Sequence, residues 1–183
     1  MKLICPRMLA MISEVLDVAV DGVNNKNSVT LLEWKVRKYL VCTTEPQDSQ
    51  PGVMLRDRPL CQELFQLALL VYIERASSKS PRQSEIMRTR LDAAFKILSQ
   101  IDTIERQFPL LIIGCEARTD EDRIIVLDLI SRTEESSGYR SLNSLKALIQ
   151  SLWAQDDLAE RELDYSDKIE AVMSSSRILP SFA

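Results

Sequence analysis

With 183 residues, 45% of them hydrophobic, the chain has room for one domain with a substantial core, and nothing in it calls for a second. Its formal charge of −4, from 27 acidic and 23 basic residues without a basic run, argues against direct contact with a phosphate backbone. The complete lack of histidine removes the commonest general base and metal ligand, and with them Ser-His-Asp and Cys-His catalysis.

Only 4 glycines and 5% aromatic residues accompany this apolar content, a balance typical of packed helices, so the expected fold is an all-α, single-domain bundle. Cys5, Cys42, Cys61 and Cys115 stand far apart without a CxxC pair, which predicts reduced thiols with no zinc cluster and no disulfide framework. No metal or other cofactor is expected. The opening MKLICPRMLAM is interrupted by Pro6 and Arg7 before a secretory core can form, and no segment reaches the length of a membrane span. The reading is therefore an intracellular chain, nuclear or cytoplasmic.

Following Pro6, Leu9, Ile12, Leu16, Ala19, Val20 and Val23 recur at helical spacing until Asn24 and Asn25 break the pattern. A second helix is capped by Ser28, with Leu32, Val36, Tyr39 and Leu40 on one face and Glu33, Lys35, Arg37 and Lys38 on the other. Residues 43–58 hold two prolines and no periodicity and read as the longest loop. The next segment, PLCQELFQLALLVYIERA, is apolar almost all round, which places it in the middle of the bundle.

Ser80 and Pro81 have the chemistry of a cap and a first helical residue for a long helix that buries Met87, Leu91, Ala94, Phe95, Leu98 and Ile101 and runs toward Gln107. Phe108-Pro109 starts a short apolar helix that ends near Ala117. Thr119 to Asp122 resembles a capping box for a helix reaching about Glu134, and Ser141 caps another that buries Leu142, Leu145, Leu148, Ile149 and Leu152, with Trp153 beside them. A weaker helix near 164–173 and an irregular tail at 174–183 complete a count of about seven or eight helices.

The stretch FPLLIIGCEARTDEDR concentrates the candidate chemistry. Cys115 lacks a base and reads as a structural thiol. Glu116 borders an apolar helix and needs Arg118, Arg123 or backbone donors to hold it, against a rival role as a general acid or base with a raised pKa. Asp120, Glu121, Asp122 and Asp128 lack the ligand alternation and central glycine of a calcium loop, and acidic capping explains them with less. Leu64, Leu67, Val71, Tyr72, Leu91, Phe95 and Leu98 are either ordinary core or the lining of an apolar pocket between two helices.

FPLLIIGCEARTDEDR also resembles the signature near the C-terminal end of the second large class of fungal-specific transcription factor domains, regulatory regions found behind a zinc binuclear cluster. Phe108, Pro109, Gly114, Cys115, Glu116, Ala117, Asp122, Arg123 and Trp153 carry the pattern, with Phe108 where the family commonly has tryptophan. PRMLAMISEVLDVA, ALLVYIERA and ALIQSLWAQDD fit further pieces in order. The resemblance implies an all-α regulatory domain, some of whose relatives hold an apolar small molecule in a helical pocket. Such proteins usually carry a DNA-binding cysteine cluster and a long helical region ahead of this portion. This sequence has neither, so it reads as part of a longer regulator or as a short stand-alone descendant.

Three functional expectations result. The first is a non-enzymatic regulatory, ligand-sensing or protein-interaction domain that does not itself bind DNA, with a sterol, lipid or secondary metabolite as ligand. The second is a small enzyme that shapes a hydrophobic metabolite for cyclisation or isomerisation, with Glu116, Asp122 or Tyr72 as acid. The third is a structural or competitor subunit that dimerises with longer relatives, whereas a homodimer belongs to the first.

Overall fold

A computed structural model describes residues 26–42, 58–77, 84–104, 106–137 and 142–158. They form α1 (Lys26–Cys42), α2 (Arg58–Ser77), α3 (Glu85–Gln100), α4 (Gln107–Cys115), α5 (Asp120–Ser137) and α6 (Leu142–Leu158), with no strand among the described residues. The all-α expectation holds. Among the described residues there are six helices, against the seven or eight expected of the whole chain. The helices expected at 9–23 and 164–173, residues 43–57 of the long loop, and the 174–183 tail lie outside the described residues.

Helix α2 occupies the middle, packed against α1, α3 and α4. Its all-round apolar sequence has a direct structural cause, because its two faces enter different clusters. Leu64, Ala68 and Val71 join the main core with α3, α4, α5 and α6, whereas Phe65, Leu69, Leu70 and Ile73 meet Leu32 and Val36 of α1. Burying both faces removes apolar surface from water at about 25 cal/mol per Å², and neither neighbour alone could cover it. Among the described helices, α1 packs its apolar residues on α2.

A charged group reinforces that layer. Arg90 of α3 is buried, yet donates to Glu74 of α2 at 2.8 Å and to Glu33 of α1 at 3.0 Å. The sequence reading put Glu33 on the solvent face of its helix; the structure turns it inward, because a buried guanidinium requires carboxylate partners.

Several helix ends differ from expectation. Helix α1 begins at Lys26, so Ser28 lies inside its first turn and is not the cap. The cap of α3 is Ser84, extended at φ −68°, ψ 158°; its hydroxyl accepts from the Met87 N–H at 3.0 Å and donates to Glu74. Ser80 and Pro81, expected to open this helix, lie outside the described residues. The same helix stops at Gln100 and does not run on to Gln107, since Ile101 is extended. Pro109 occupies the third position of α4, so Phe108 is helical despite preceding a proline. The missing proline N–H costs nothing there, because the first four N–H groups of a helix have no intrahelical partner.

The link from α3 to α4 is pinned to α5. The Thr133 hydroxyl donates to Leu129 O at 2.8 Å and accepts from the Ile104 N–H at 3.1 Å, both in buried surroundings. Arg132 adds a 2.9 Å bond to Ile101 O. Replacing Thr133 with valine preserves shape but leaves the Ile104 N–H unsatisfied, which should cost roughly 1–3 kcal/mol in urea unfolding. A loss below a few tenths would show that this bond does not hold the link.

Candidate functional site

Helix α4 is nine residues long and apolar, with Pro109 through Gly114 all buried. Its end must satisfy carbonyls in a place water does not reach. Glu116 forms the C-cap at φ −92°, ψ −1°, and its N–H donates to Ile113 O at 3.0 Å, while the Ala117 N–H donates to Gly114 O at 3.2 Å. A second donor reaches Gly114 O from α6, the Trp153 Nε1–H at 2.8 Å. The helix therefore stops at Cys115, two residues before the expected Ala117.

Gly114 is favoured by proximity. A Cβ built on it would lie 2.9 Å from Ile149 Cδ1, so the tip of that flexible side chain would have to shift to admit any other residue. Ile149 is fully buried in the main core.

The Glu116 carboxylate is 5% exposed and gripped at both oxygens by Arg75: Nε donates to Oε1 at 2.7 Å and the terminal nitrogen to Oε2 at 2.6 Å. This fork geometry is the strong form of a charge-assisted bond. The sequence reading named Arg118 and Arg123 as holders; the bidentate partner is Arg75, forty-one positions back on α2. A basic side chain closing an otherwise apolar helix was the available signal, because only tertiary packing brings that turn beside the end of α4.

Arg123 serves a parallel purpose. Its two terminal nitrogens donate to Asp157 at 2.8 and 2.7 Å, its Nε makes a longer contact of 3.4 Å with Ala117 O, and its guanidinium lies 5.4 Å from the Trp153 ring centroid. Asp157 was not singled out by sequence. Thr119 caps α5 as expected, its hydroxyl accepting from the Asp122 N–H at 3.2 Å, with Asp120, Glu121 and Asp122 in the first turn where the helix dipole favours them.

The remaining candidates fall into place around this joint. Phe108 packs its ring against Phe65 at 5.5 Å and Tyr72 at 6.3 Å. Burial pushes the Tyr72 phenol pKa up, which makes it a poorer proton donor. Cys61 and Cys115 are half-buried reduced thiols. Leu64, Val71, Leu91, Phe95 and Leu98 are buried, and Leu67 and Tyr72 half-buried, in the main core. Among the described residues, no group of histidine, cysteine or acid converges in a way that could hold a metal ion, and no helix is long and apolar enough to cross a membrane.

In the described residues these features define an all-helical arrangement whose signature residues hold four helices together, with the Glu116 carboxylate and the Trp153 indole spent on internal bonds. The chain belongs to the fungal specific transcription factor domain family, whose pattern matches residues 5–179. Among its relatives is Transcription factor iacI of Pestalotiopsis fici, 34% identical over 185 residues, a match that covers 96% of this chain and 46% of that protein. The chain thus spans about half the length of that relative. No solved structure matches the chain.

Two measurements test the joint. Arg75→Met alone strands a buried carboxylate and should cost roughly 3–5 kcal/mol, whereas Arg75→Met combined with Glu116→Gln should cost clearly less than the two single changes summed. Additive losses in this cycle would deny the coupling.

For the second contact, the hydrogen bond from Arg123 holds the Asp157 carboxyl below the ordinary aspartate range, with their charge attraction acting the same way. A lowered folded pKa contributes stability that is fully present above the unfolded value and lost as pH falls through the folded one. The clamp therefore persists at neutral pH and loosens only in acid. In a carbon-13 NMR titration Asp157 should titrate low, and Arg123→Gln should return it toward the ordinary value; an unperturbed midpoint in the unsubstituted protein contradicts the clamp.

Proposed function

We propose that this chain is the regulatory, ligand-sensing portion of a transcription regulator, acting through small-molecule and protein contacts and not through DNA contacts of its own. The observation that carries the regulatory part is the family match across residues 5–179. The absence of DNA contact is supported by a net charge of −4 with no basic run. A nuclear location is the corresponding proposal, from the relative's description as a transcription factor.

The proposed ligand is an apolar molecule of sterol, lipid or secondary-metabolite type, held between α2 and α3 by Leu64, Leu67, Val71, Tyr72, Leu91, Phe95 and Leu98. Its support is that these side chains share one apolar cluster, with the Tyr72 hydroxyl as a polar handle at the partly exposed side. The enzymatic alternative is weaker on geometric grounds. Glu116 has both oxygens committed to Arg75, and burial makes Tyr72 a poorer acid. The dimerising-subunit alternative has no specific contact in its favour.

Native mass spectrometry after incubation with a fungal lipid extract tests the ligand. The expected result is a discrete mass adduct that Leu98→Trp, placed in the middle of the α2–α3 cluster, removes while circular dichroism stays helical. Unliganded protein across the extract overturns the ligand assignment.

A further inference from the structure

We propose that the outer face of α1 is a docking surface for an acidic peptide segment of a partner protein that carries apolar side chains. The inference rests on how α1 divides its residues. Leu32 and Val36 are buried on α2, whereas Leu31 is 52% exposed and Trp34 is 55% exposed. Leu31, Trp34 and Lys38 stand at i, i+3 and i+7, one stripe along the helix on the side away from the core, and Arg37 borders it. A tryptophan half in water is an unfavourable placement for the largest apolar side chain, and its ring offers a rigid, low-entropy contact area.

The charge of this face sets the partner's chemistry. Arg37 and Lys38 are exposed, and the Lys38 Nζ sits 4.8 Å from the Trp34 ring centroid. The stretch contains one acid, Glu33, and the structure turns it inward onto Arg90. The described part of this face is therefore positive with apolar centres, on a chain whose formal charge is −4. Complementary potential steers an acidic segment to it and disfavours basic ones. Leucine or phenylalanine side chains of such a segment would lie on Leu31 and Trp34 while its carboxylates meet Arg37 and Lys38.

Other polyanions fit less well. The two exposed cations among the described residues of this face are too few for the phosphate contacts that give a nucleic acid its affinity. An interfacial membrane helix needs a wider continuous apolar face than Leu31 and Trp34 supply.

The surface is separate from the α2–α3 cluster, so its test is independent of the small-molecule reading. The experiment uses the full 183-residue chain and a fluorescein-labelled helical peptide with Asp and Glu around Leu and Phe at i, i+3 and i+4 spacing. Binding is read by anisotropy, together with Trp34 emission, since the other tryptophan, Trp153, is only 5% exposed. The expected result is saturable binding with a blue shift. It weakens by about tenfold or more for the Asn/Gln version of the peptide, for Trp34→Ala and for Arg37→Glu with Lys38→Glu. All three substituted positions are exposed, and circular dichroism confirms that the variants remain helical.

Three results overturn the proposal. One is absence of binding up to about 1 mM peptide, or binding indifferent to these substitutions. Another is an equal Trp34 shift with phosphatidylserine vesicles or single-stranded DNA. The third is a concentration-dependent dimer in sedimentation that Trp34→Ala abolishes, which would assign the face to a second copy of the chain.

Discussion

The buried end of α4 is the constraint from which the rest of the joint follows. A short helix with almost no exposed side must terminate inside the protein, and each carbonyl left over there needs a donor that water cannot supply. The backbone of Glu116 and Ala117 and the indole of Trp153 provide those donors. Once Glu116 is fixed as the cap, its carboxylate is carried into the interior, and Arg75 must meet it. Trp153 in turn has to be held at α4, and Arg123 stacks on its ring while binding Asp157 on the same helix. Gly114 lets α4 and α6 approach closely, since a Cβ there would need the tip of Ile149 to move aside.

The same logic explains why a stretch with the appearance of reactive chemistry is structural in use. Cysteine, glutamate, aspartate and arginine within a short span look like a centre, but reactivity requires a group to be left available to a substrate. Here Glu116 has both oxygens occupied, and Arg123 is shared between a carboxylate and an aromatic face. The family membership is thus recorded in residues that set helix geometry. The proposed ligand cluster and the outer face of α1 lie in parts of the chain with no comparable signature.

Much of the fold was legible because helical periodicity and capping are local. The apolar α2, the Thr119 cap, the acidic first turn of α5 and the buried face of α6 all appear where the spacing of leucines and the chemistry of the caps put them. Helix ends were less legible. Ser84 replaced Ser80 and Pro81, and Ile101 ended α3 early, because a favourable local residue is only one competitor among several nearby.

By itself the sequence determined that the chain would be helical, that residues 108–123 would form a short apolar helix leading into an acid-capped one, and to which family the chain belongs. Local propensity and composition suffice for this, since they depend on neighbours a few positions apart. Only the tertiary structure decided that Arg75 holds Glu116, that Arg90 joins Glu33 to Glu74, and that Arg123 reaches Asp157. Those pairs lie 16 to 57 positions apart, and the need of the buried Glu116 and Arg90 charges for partners does not say which partner the packing will deliver.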